Sequence, residues 1–401
     1  MAERVKVLYV IERLARAGTE LHLVKILQRL DRSRFEPVLC CLNDSRTDKD
    51  LLPEGVRYHS FQAPWNLARP AIWRIYRRLC GLMRREKPDL VHSFLFVANV
   101  LAPFAAGRAR VKGVVASRGR MGIEWKASVL HRLAQRAADR RTDYIICKTE
   151  AIAREIAQVE KAPTEKIRVI PNGVDTEYYS RTAAPARVAR EQIAAMHGVP
   201  RDGPLILAVG NLKPIKGQTT LIEATALLVE RFPLLQVAIV GEGESELDLR
   251  AAIRSSGLAE RVHLPGAADD VRPWMRAADL FVAPSLSEGM PNAVLEAMAM
   301  GLPVILSNIP GHAETAGAHA WYFEPRNSQA LAESIATALD SPEACAERAR
   351  AGTERVQKEF SLGQMVKRIE SLYLELLAGD KTRAGAAAAV PAAAASGPTG
   401  E

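Results

Sequence analysis

Two glutamates eight residues apart, Glu288 and Glu296, bracket a turn that could hold a phosphate. The run Pro284-Ser285-Leu286-Ser287-Glu288-Gly289-Met290-Pro291-Asn292-Ala293-Val294-Leu295-Glu296-Ala297-Met298 follows an apolar stretch, Leu280–Ala283, that reads as a strand. Gly289 lets backbone approach a ligand closely. Pro291 is tolerated in the first helical turn and nowhere deeper, so a helix should begin about there. The N–H groups of such a start lack intrahelical partners and carry the positive end of the helix dipole, which suits an anion. On one continuous helix the two carboxylates would be about 12 Å apart and roughly 80° out of line. With Glu288 in the loop and Glu296 on the helix, they can instead flank the phosphate, one toward a sugar and the other toward a ribose. The same pattern also fits a plain strand–loop–helix with two exposed acids.

A second stretch, Val209-Gly210-Asn211-Leu212-Lys213-Pro214-Ile215-Lys216-Gly217, again directly follows a strand. Lys216 beside a glycine at the mouth of a sheet is well placed to neutralise a leaving diphosphate, or is a solvated loop lysine. Near the N-terminus, Ala17-Gly18-Thr19-Glu20 precedes a helix expected from Leu21, with Thr19 as its cap and Gly18 allowing a close approach.

The elements that must position these residues alternate strand and helix. Val5–Val10, Pro37–Leu42, Leu90–Phe94, Val111–Ser117, Tyr144–Cys147 and Ile167–Ile170 read as strands of a first half. Leu205–Val209, Gln236–Val240, Val262–Leu264, Leu280–Ala283, Pro303–Leu306 and Ala320–Phe323 repeat the rhythm. Apolar strands separated by helices imply parallel sheets covered on both faces, hence an α/β protein of two Rossmann-like, doubly wound domains facing a central cleft. The expected division is 1–182, 183–360, a helix over 361–378 returning toward the first domain, and an Ala/Pro/Gly tail over 379–401 too poor in large apolar residues to order. Pro171-Asn172-Gly173 marks the turn between domains, and the Ala-, Arg- and Pro-rich stretch after Asp175 reads as a connector.

A chain of 401 residues with 48% hydrophobic and 25% charged residues is of globular type. Its net charge of +8 favours anionic partners, yet no aromatic RNA-binding strand, zinc finger or helix-turn-helix accompanies it, so nucleic acid is not expected. Cys40, Cys41, Cys80, Cys147 and Cys345 show no metal spacing and read as buried, reduced thiols of a cytoplasmic protein. No stretch reaches the ~18 uncharged apolar residues of a membrane span. Ile72, Ile75, Tyr76, Leu79, Leu82 and Met83 recur at helical spacing among arginines, and a second basic run covers 118–141, with Trp125 and Lys126. Such a helix can lie on the inner face of an anionic membrane, or pack its stripe on the sheet with its arginines in solvent.

Glu288 to Glu296 resembles the E-x7-E motif of the family-four retaining glycosyltransferases, which have the GT-B fold, and SEGMPNAVLEAMAMGLPV is close to that family's wording. The resemblance runs over most of 4–378 and is strongest between Leu205 and Glu314. It implies that Glu296 holds the ribose hydroxyls of a nucleotide-sugar donor and that Glu288 contacts the sugar. The backbone of Gly289, Met290, Pro291 and Asn292 would border sugar and phosphates. Lys216 matches the family's G-R-L-x-x-x-K-G; Asn211 stands where its Arg is expected, with Lys213 near enough to substitute. Gly18 belongs to a looser version of the family's G-G-x-E loop, and Glu314, three residues after Gly311, has a weaker claim on the donor pocket. Ile170–Asp175 resembles a family hallmark that is architecture more than chemistry. The catalytic His expected after Val111–Ser117 is missing; Arg118 stands about there, and His92 and Arg118 are candidates for the acceptor or cleft side.

The resemblance implies metal-independent, retaining transfer of a hexosyl unit from a UDP- or GDP-linked sugar to a glycan or lipid-linked acceptor, as in envelope or exopolysaccharide synthesis. No cofactor is expected beyond that co-substrate. Rival readings are an epimerase or phosphorylase on the same fold, and a non-catalytic nucleotide-sugar binding protein, favoured by the missing His and by Asn211.

Overall fold

The fold is built from short strands whose residues are buried on both faces and must therefore be flanked by parallel neighbours and covered by helices. The structure, a computed structural model, describes residues 4–43, 47–61, 69–119, 129–180 and 186–379. The tail expected over 379–401 lies, apart from Gly379, outside the described residues, as do Trp125 and Lys126.

The N-terminal lobe holds β1 (Val5–Ile11), α1 (Gly18–Arg29), β2 (Phe35–Cys41), β3 (Arg57–Ser60), α2 (Arg69–Glu86), β4 (Leu90–Phe94), α3 (Phe96–Ala109), β5 (Gly113–Arg118), α4 (Val129–Arg141), β6 (Tyr144–Cys147), α5 (Glu150–Glu155) and β7 (Ile167–Val169). The C-terminal lobe holds α6 (Ala186–His197), β8 (Leu205–Val209), α7 (Gln218–Leu228), β9 (Gln236–Val240), α8 (Glu246–Ser255), β10 (Val262–His263), α9 (Arg272–Ala277), β11 (Leu280–Ala283), α10 (Asn292–Ala299), β12 (Val304–Ser307), α11 (Pro310–Ala316), β13 (Ala320–Phe323), α12 (Ser328–Asp340) and α13 (Pro342–Glu359). A last helix, α14 (Leu362–Leu377), returns to the first lobe.

The sheets run β3-β2-β1-β4-β5-β6-β7 and β10-β9-β8-β11-β12-β13. Every named pairing is parallel, as in β1 with β2 and β4, and β8 with β9 and β11. In each sheet the order reverses once, between β1 and β4 and between β8 and β11. Ligands bind at such switch points, beyond the carboxyl ends of the strands.

One expectation about the frame changes, since the stretch read as a connector holds a packed helix. For the basic amphipathic helix the structure shows the second of the two stated alternatives. The connector after Asp175 contains α6, which buries Ala189 and Ile193 in the core shared with Trp274 and Met275 of α9, so it belongs to the C-terminal lobe. The apolar stripe of α2 packs on the sheet: Ile75, Leu79, Leu82 and Met83 are buried beside Leu8, Val10 and Val91, which leaves arginines and Trp73 outward. Strand β3 was not expected, because Arg-Tyr-His-Ser at a sheet edge carries no apolar run. None of the five cysteines is in a disulfide; four are buried and Cys345 is half-buried.

The chain crosses between lobes at two adjacent places. Val174 N–H donates to the Phe360 carbonyl at 2.9 Å, and Leu362 N–H donates back to the Val174 carbonyl at 2.8 Å. Arg29 of α1 pairs with Asp175 at 2.5 Å. Beyond this crossing, Met365, Val366, Ile369, Leu372 and Tyr373 join Tyr9, Phe35 and Phe94 in the N-terminal core. Tyr373 also closes a buried polar cluster: its hydroxyl lies 2.6 Å from His92 Nδ1 and donates to the Tyr9 hydroxyl at 3.3 Å, while His92 Nε2 lies 2.8 Å from Ser117 Oγ.

Deleting one hydroxyl from this dry cluster strands a ring nitrogen without a partner, a loss of about 1–3 kcal/mol. Tyr373→Phe is therefore expected to shift the N-terminal lobe's denaturant transition by that amount while leaving the C-terminal lobe's transition in place. Unfolding followed by lobe-specific hydrogen exchange reads the difference.

Candidate active site between the lobes

The loops that meet in the cleft follow β1, β5 and β6 on one side and β11 and β12 on the other. Strand β11 ends at Ala283, and the loop to α10 folds so that the Glu288 carboxylate turns back toward the sheet. Ser285 donates its hydroxyl to Glu288 Oε1 at 2.8 Å, and Lys216 Nζ donates to the same oxygen at 2.5 Å. Lys216 ends the one-turn helix Pro214–Lys216 after β8, and a Cβ added at Gly210 would lie 3.9 Å from its ammonium. The two charges expected near the donor thus sit together, partly open to solvent, at the switch point of the second sheet.

Gly289 is one of the places where the lobes touch. A Cβ added there would lie 2.4 Å from the Gly119 carbonyl oxygen of the N-terminal lobe. On its other side, a Cβ at Gly311 of α11 would lie 2.4 Å from the Glu288 carbonyl oxygen and 2.5 Å from that of Gly289. The Glu288–Gly289 backbone is clamped between two surfaces that only glycine permits.

Helix α10 starts at Asn292 with Pro291 as its cap residue, which has no side-chain group to cap the first-turn amides. Across the cleft, a Cβ added at Gly18 would lie 4.0 Å from the Asn292 side-chain nitrogen, so Gly18 faces Asn292. Asn172 of the interlobe turn donates its amide to Asn292 Oδ1 at 2.8 Å, and its N–H donates to the Met290 sulfur at 3.1 Å. Met290 is buried by this contact and offers a ligand backbone rather than side chain. One turn further along α10, the Glu296 carboxylate is 14% exposed. Burial pushes its carboxyl above the ordinary range, against the pull of Lys25, whose Nζ is 3.8 Å away, and of a hydrogen bond from Tyr179. Neither Lys25 nor Tyr179 is legible as a site residue in the sequence; both matter only once α1 and the interlobe segment lie against α10.

The loop after β8 leaves Asn211 and Lys213 exposed at the rim, with the Asn211 carbonyl accepting from Gln218 at 3.1 Å. Four expectations are corrected. Glu314 caps the start of α5, accepting the N–H groups of Glu150 at 2.6 Å and Ala151 at 2.7 Å, so it ties lobe to lobe instead of lining the donor pocket. Arg118 is 3% exposed and pairs with Asp139 and Glu160 inside the N-terminal lobe. His92 is fully buried in the Tyr373 cluster and does not reach the cleft; burial pushes its pKa down to about 3, which favours the neutral imidazole. Thr19 does not cap α1: the helix begins at Gly18, three residues before Leu21, with Ala17 at the cap position and no side-chain cap bond.

Glu288 with Lys216, the uncapped start of α10 and Glu296 form one surface of acid, base and amide that suits a phosphorylated sugar. Among the described residues no group of three or more His, Cys, Asp or Glu is placed to hold a metal ion.

Residues 203–341 match the family model described as glycosyl transferases group 1, and residues 16–178 match that of glycosyltransferase family 4. The putative glycosyltransferase EpsD of Bacillus subtilis is 29% identical over 320 residues, 77% of this chain and 81% of that protein. An Escherichia coli UDP-Gal:alpha-D-GlcNAc-diphosphoundecaprenol alpha-1,3-galactosyltransferase is 30% identical over 293 residues, 71% of this chain and 74% of that one. Among solved structures, HepE of Anabaena in complex with UDP superposes with a TM-score of 0.82 at 22% identity, over 92% of this chain and 100% of its own. A glycosyltransferase from Rickettsia africae gives 0.83 at 19% identity, over 93% and 99%. Two parallel-sheet lobes meeting at the Glu288–Glu296 loop, matched in both halves and 30% identical to a galactosyltransferase over most of its length, make this chain a member of glycosyltransferase family 4 with the GT-B fold.

Proposed function

We propose that this glycosyltransferase moves a hexosyl unit, with retention of anomeric configuration and without a metal, from a UDP-linked sugar to a glycan or lipid-linked acceptor in cell-envelope or exopolysaccharide synthesis. The observation that carries the reading is the Lys216–Glu288 pair beside the uncapped start of α10, with Glu296 one turn behind. In this reading Glu296 accepts the ribose hydroxyls and the α10 amides and Lys216 receive the diphosphate. Glu288, released from Lys216 as phosphate takes its place, accepts a sugar hydroxyl. The UDP-Gal donor of the Escherichia coli relative and the UDP bound to HepE favour uridine over guanosine.

As the bond from the anomeric carbon to the diphosphate oxygen breaks, negative charge gathers on the phosphate while the sugar becomes cationic. Lys216 and the helix dipole aim fixed positive potential at that charge, which is the work a metal would otherwise do. The acceptor hydroxyl attacks from the face the diphosphate leaves, and its proton passes to a phosphate oxygen. Glu288 orients the sugar and forms no covalent bond to it. Contacts of Gly119 with Gly289, and of Glu314 with α5, hold the N-terminal lobe over the donor.

We also infer that the N-terminal lobe meets an anionic membrane surface, where a lipid-linked acceptor would be found. Trp73 is 60% exposed on α2 among Arg74, Arg77 and Arg78, and α4 exposes Leu130 and Leu133 in its first turns and Arg140 and Arg141 at its end. Apolar side chains among exposed arginines suit an anionic headgroup layer. Among the described residues no helix is long and apolar enough to cross a membrane.

Three outcomes are expected. UDP at millimolar concentration should raise the melting temperature, GDP should do so less, and Glu296→Ala should abolish the shift; no shift with either nucleotide would defeat the donor assignment. Lys216→Ala should lower kcat about 10²- to 10³-fold, with proton NMR of the wild-type product showing the donor's anomeric configuration. Wild-type protein should co-sediment with phosphatidylglycerol vesicles at low salt, and Leu130→Ser with Leu133→Ser should weaken this; equal binding to neutral vesicles would rule out the charged contact.

A further inference from the structure

Helix α1 presents one face across the cleft. Gly18, Lys25 and Arg29 stand at positions i, i+7 and i+11, which an α-helix brings within about 20° of one line. Each meets a residue of the opposite wall or of the interlobe crossing: Gly18 faces Asn292, Lys25 lies 3.8 Å from Glu296, and Arg29 lies 2.5 Å from Asp175. Lys25 thus sets its charge against the carboxylate of the donor site from the other lobe. It belongs to no motif, and the transfer chemistry does not use it.

We propose that Lys25 is a positioning residue that keeps Glu296 ionised for the nucleotide's ribose, so that the ribose is gripped fully only with the two lobes together. This rests on the reading of Glu296 as the ribose partner. Two vicinal hydroxyls can both donate to a carboxylate, whereas a protonated acid keeps one donor and fewer acceptor sites. The Glu296 carboxyl is mostly buried, which favours its neutral form. The groups that face it are Lys25 from α1 and the Tyr179 hydroxyl from the interlobe segment, with Tyr178 and Asp270 standing beyond Tyr179. Tyr179 donates a neutral hydrogen bond, and Asp270 is engaged by Arg272 at 2.7 Å. The positive charge that holds Glu296 ionised is that of Lys25.

The sign follows directly. Nucleotide affinity should fall as pH drops and Glu296 takes up a proton. Without Lys25 that proton binds more readily, so the fall should begin at higher pH.

The test is calorimetric binding of UDP and GDP to the full chain between pH 5 and 8, for wild type, Lys25→Met, Lys25→Arg and Glu296→Gln. Titration of the diphosphate itself is common to all four proteins and cancels in the comparison. The expected result is an acid limb displaced upward by about one pH unit in Lys25→Met and restored in Lys25→Arg. Should Lys25→Met fail to fold, Lys25→Gln gives the same readout. Superimposed acid limbs in wild type and the uncharged variant would overturn the proposal. Undiminished binding by Glu296→Gln at every pH would instead show that the ribose assignment beneath it is wrong.

Discussion

Everything at the cleft depends on how closely backbone can approach backbone at Gly289. The loop after β11 carries Glu288 inward, and it can do so only because its next residue has no side chain to meet the Gly119 carbonyl of the facing lobe. Gly311 allows the same closeness from behind. A methyl group at either position would sit about 2.4 Å from a carbonyl oxygen, and neither backbone has room to give. The crowding fixes the height of the loop, and with it the place where α10 starts and its first-turn amides point.

From that point the charges arrange themselves by proximity. Lys216 from the neighbouring βα turn finds Glu288, and Lys25 from the opposite lobe finds Glu296. Each carboxylate therefore has a cation, one from its own lobe and one from across the cleft. In the proposed reading a diphosphate would intervene in the first pair and a ribose would join the second. The polar contacts that tie lobe to lobe, Asn172 to Asn292, Glu314 to α5 and Arg29 to Asp175, surround these pairs.

Much of this frame was legible in the sequence. Strands such as Leu90–Phe94, Tyr144–Cys147, Gln236–Val240 and Leu280–Ala283 have the expected bounds, since each is a short apolar run buried on both faces, and Leu362–Leu377 declares itself by helical periodicity. The local signals of Gly289 and Pro291 also locate the loop and the helix start. What was not legible depends on tertiary contact. Strand β3 is polar because it lies at an edge, and α6 shows only Ala189 and Ile193 as a buried face. Glu314 fits a donor-site pattern, yet the unsatisfied amides of α5 claim it. Arg118 ends β5 and His92 lies in the middle of β4, and contacts with α4 and α14 hold them inside the lobe. Lys25 is an ordinary helix lysine until α10 is laid beside it.

The most direct measurement is a crystal structure of the protein with UDP bound. The expected result is a uridine whose ribose hydroxyls lie within hydrogen-bond distance of Glu296 and whose β-phosphate lies between Lys216 and the first amides of α10, with Glu288 turned away from Lys216. A nucleotide seated in the N-terminal lobe, or one whose ribose points away from Glu296 while Lys216 stays on Glu288, would contradict the assignment of the donor site.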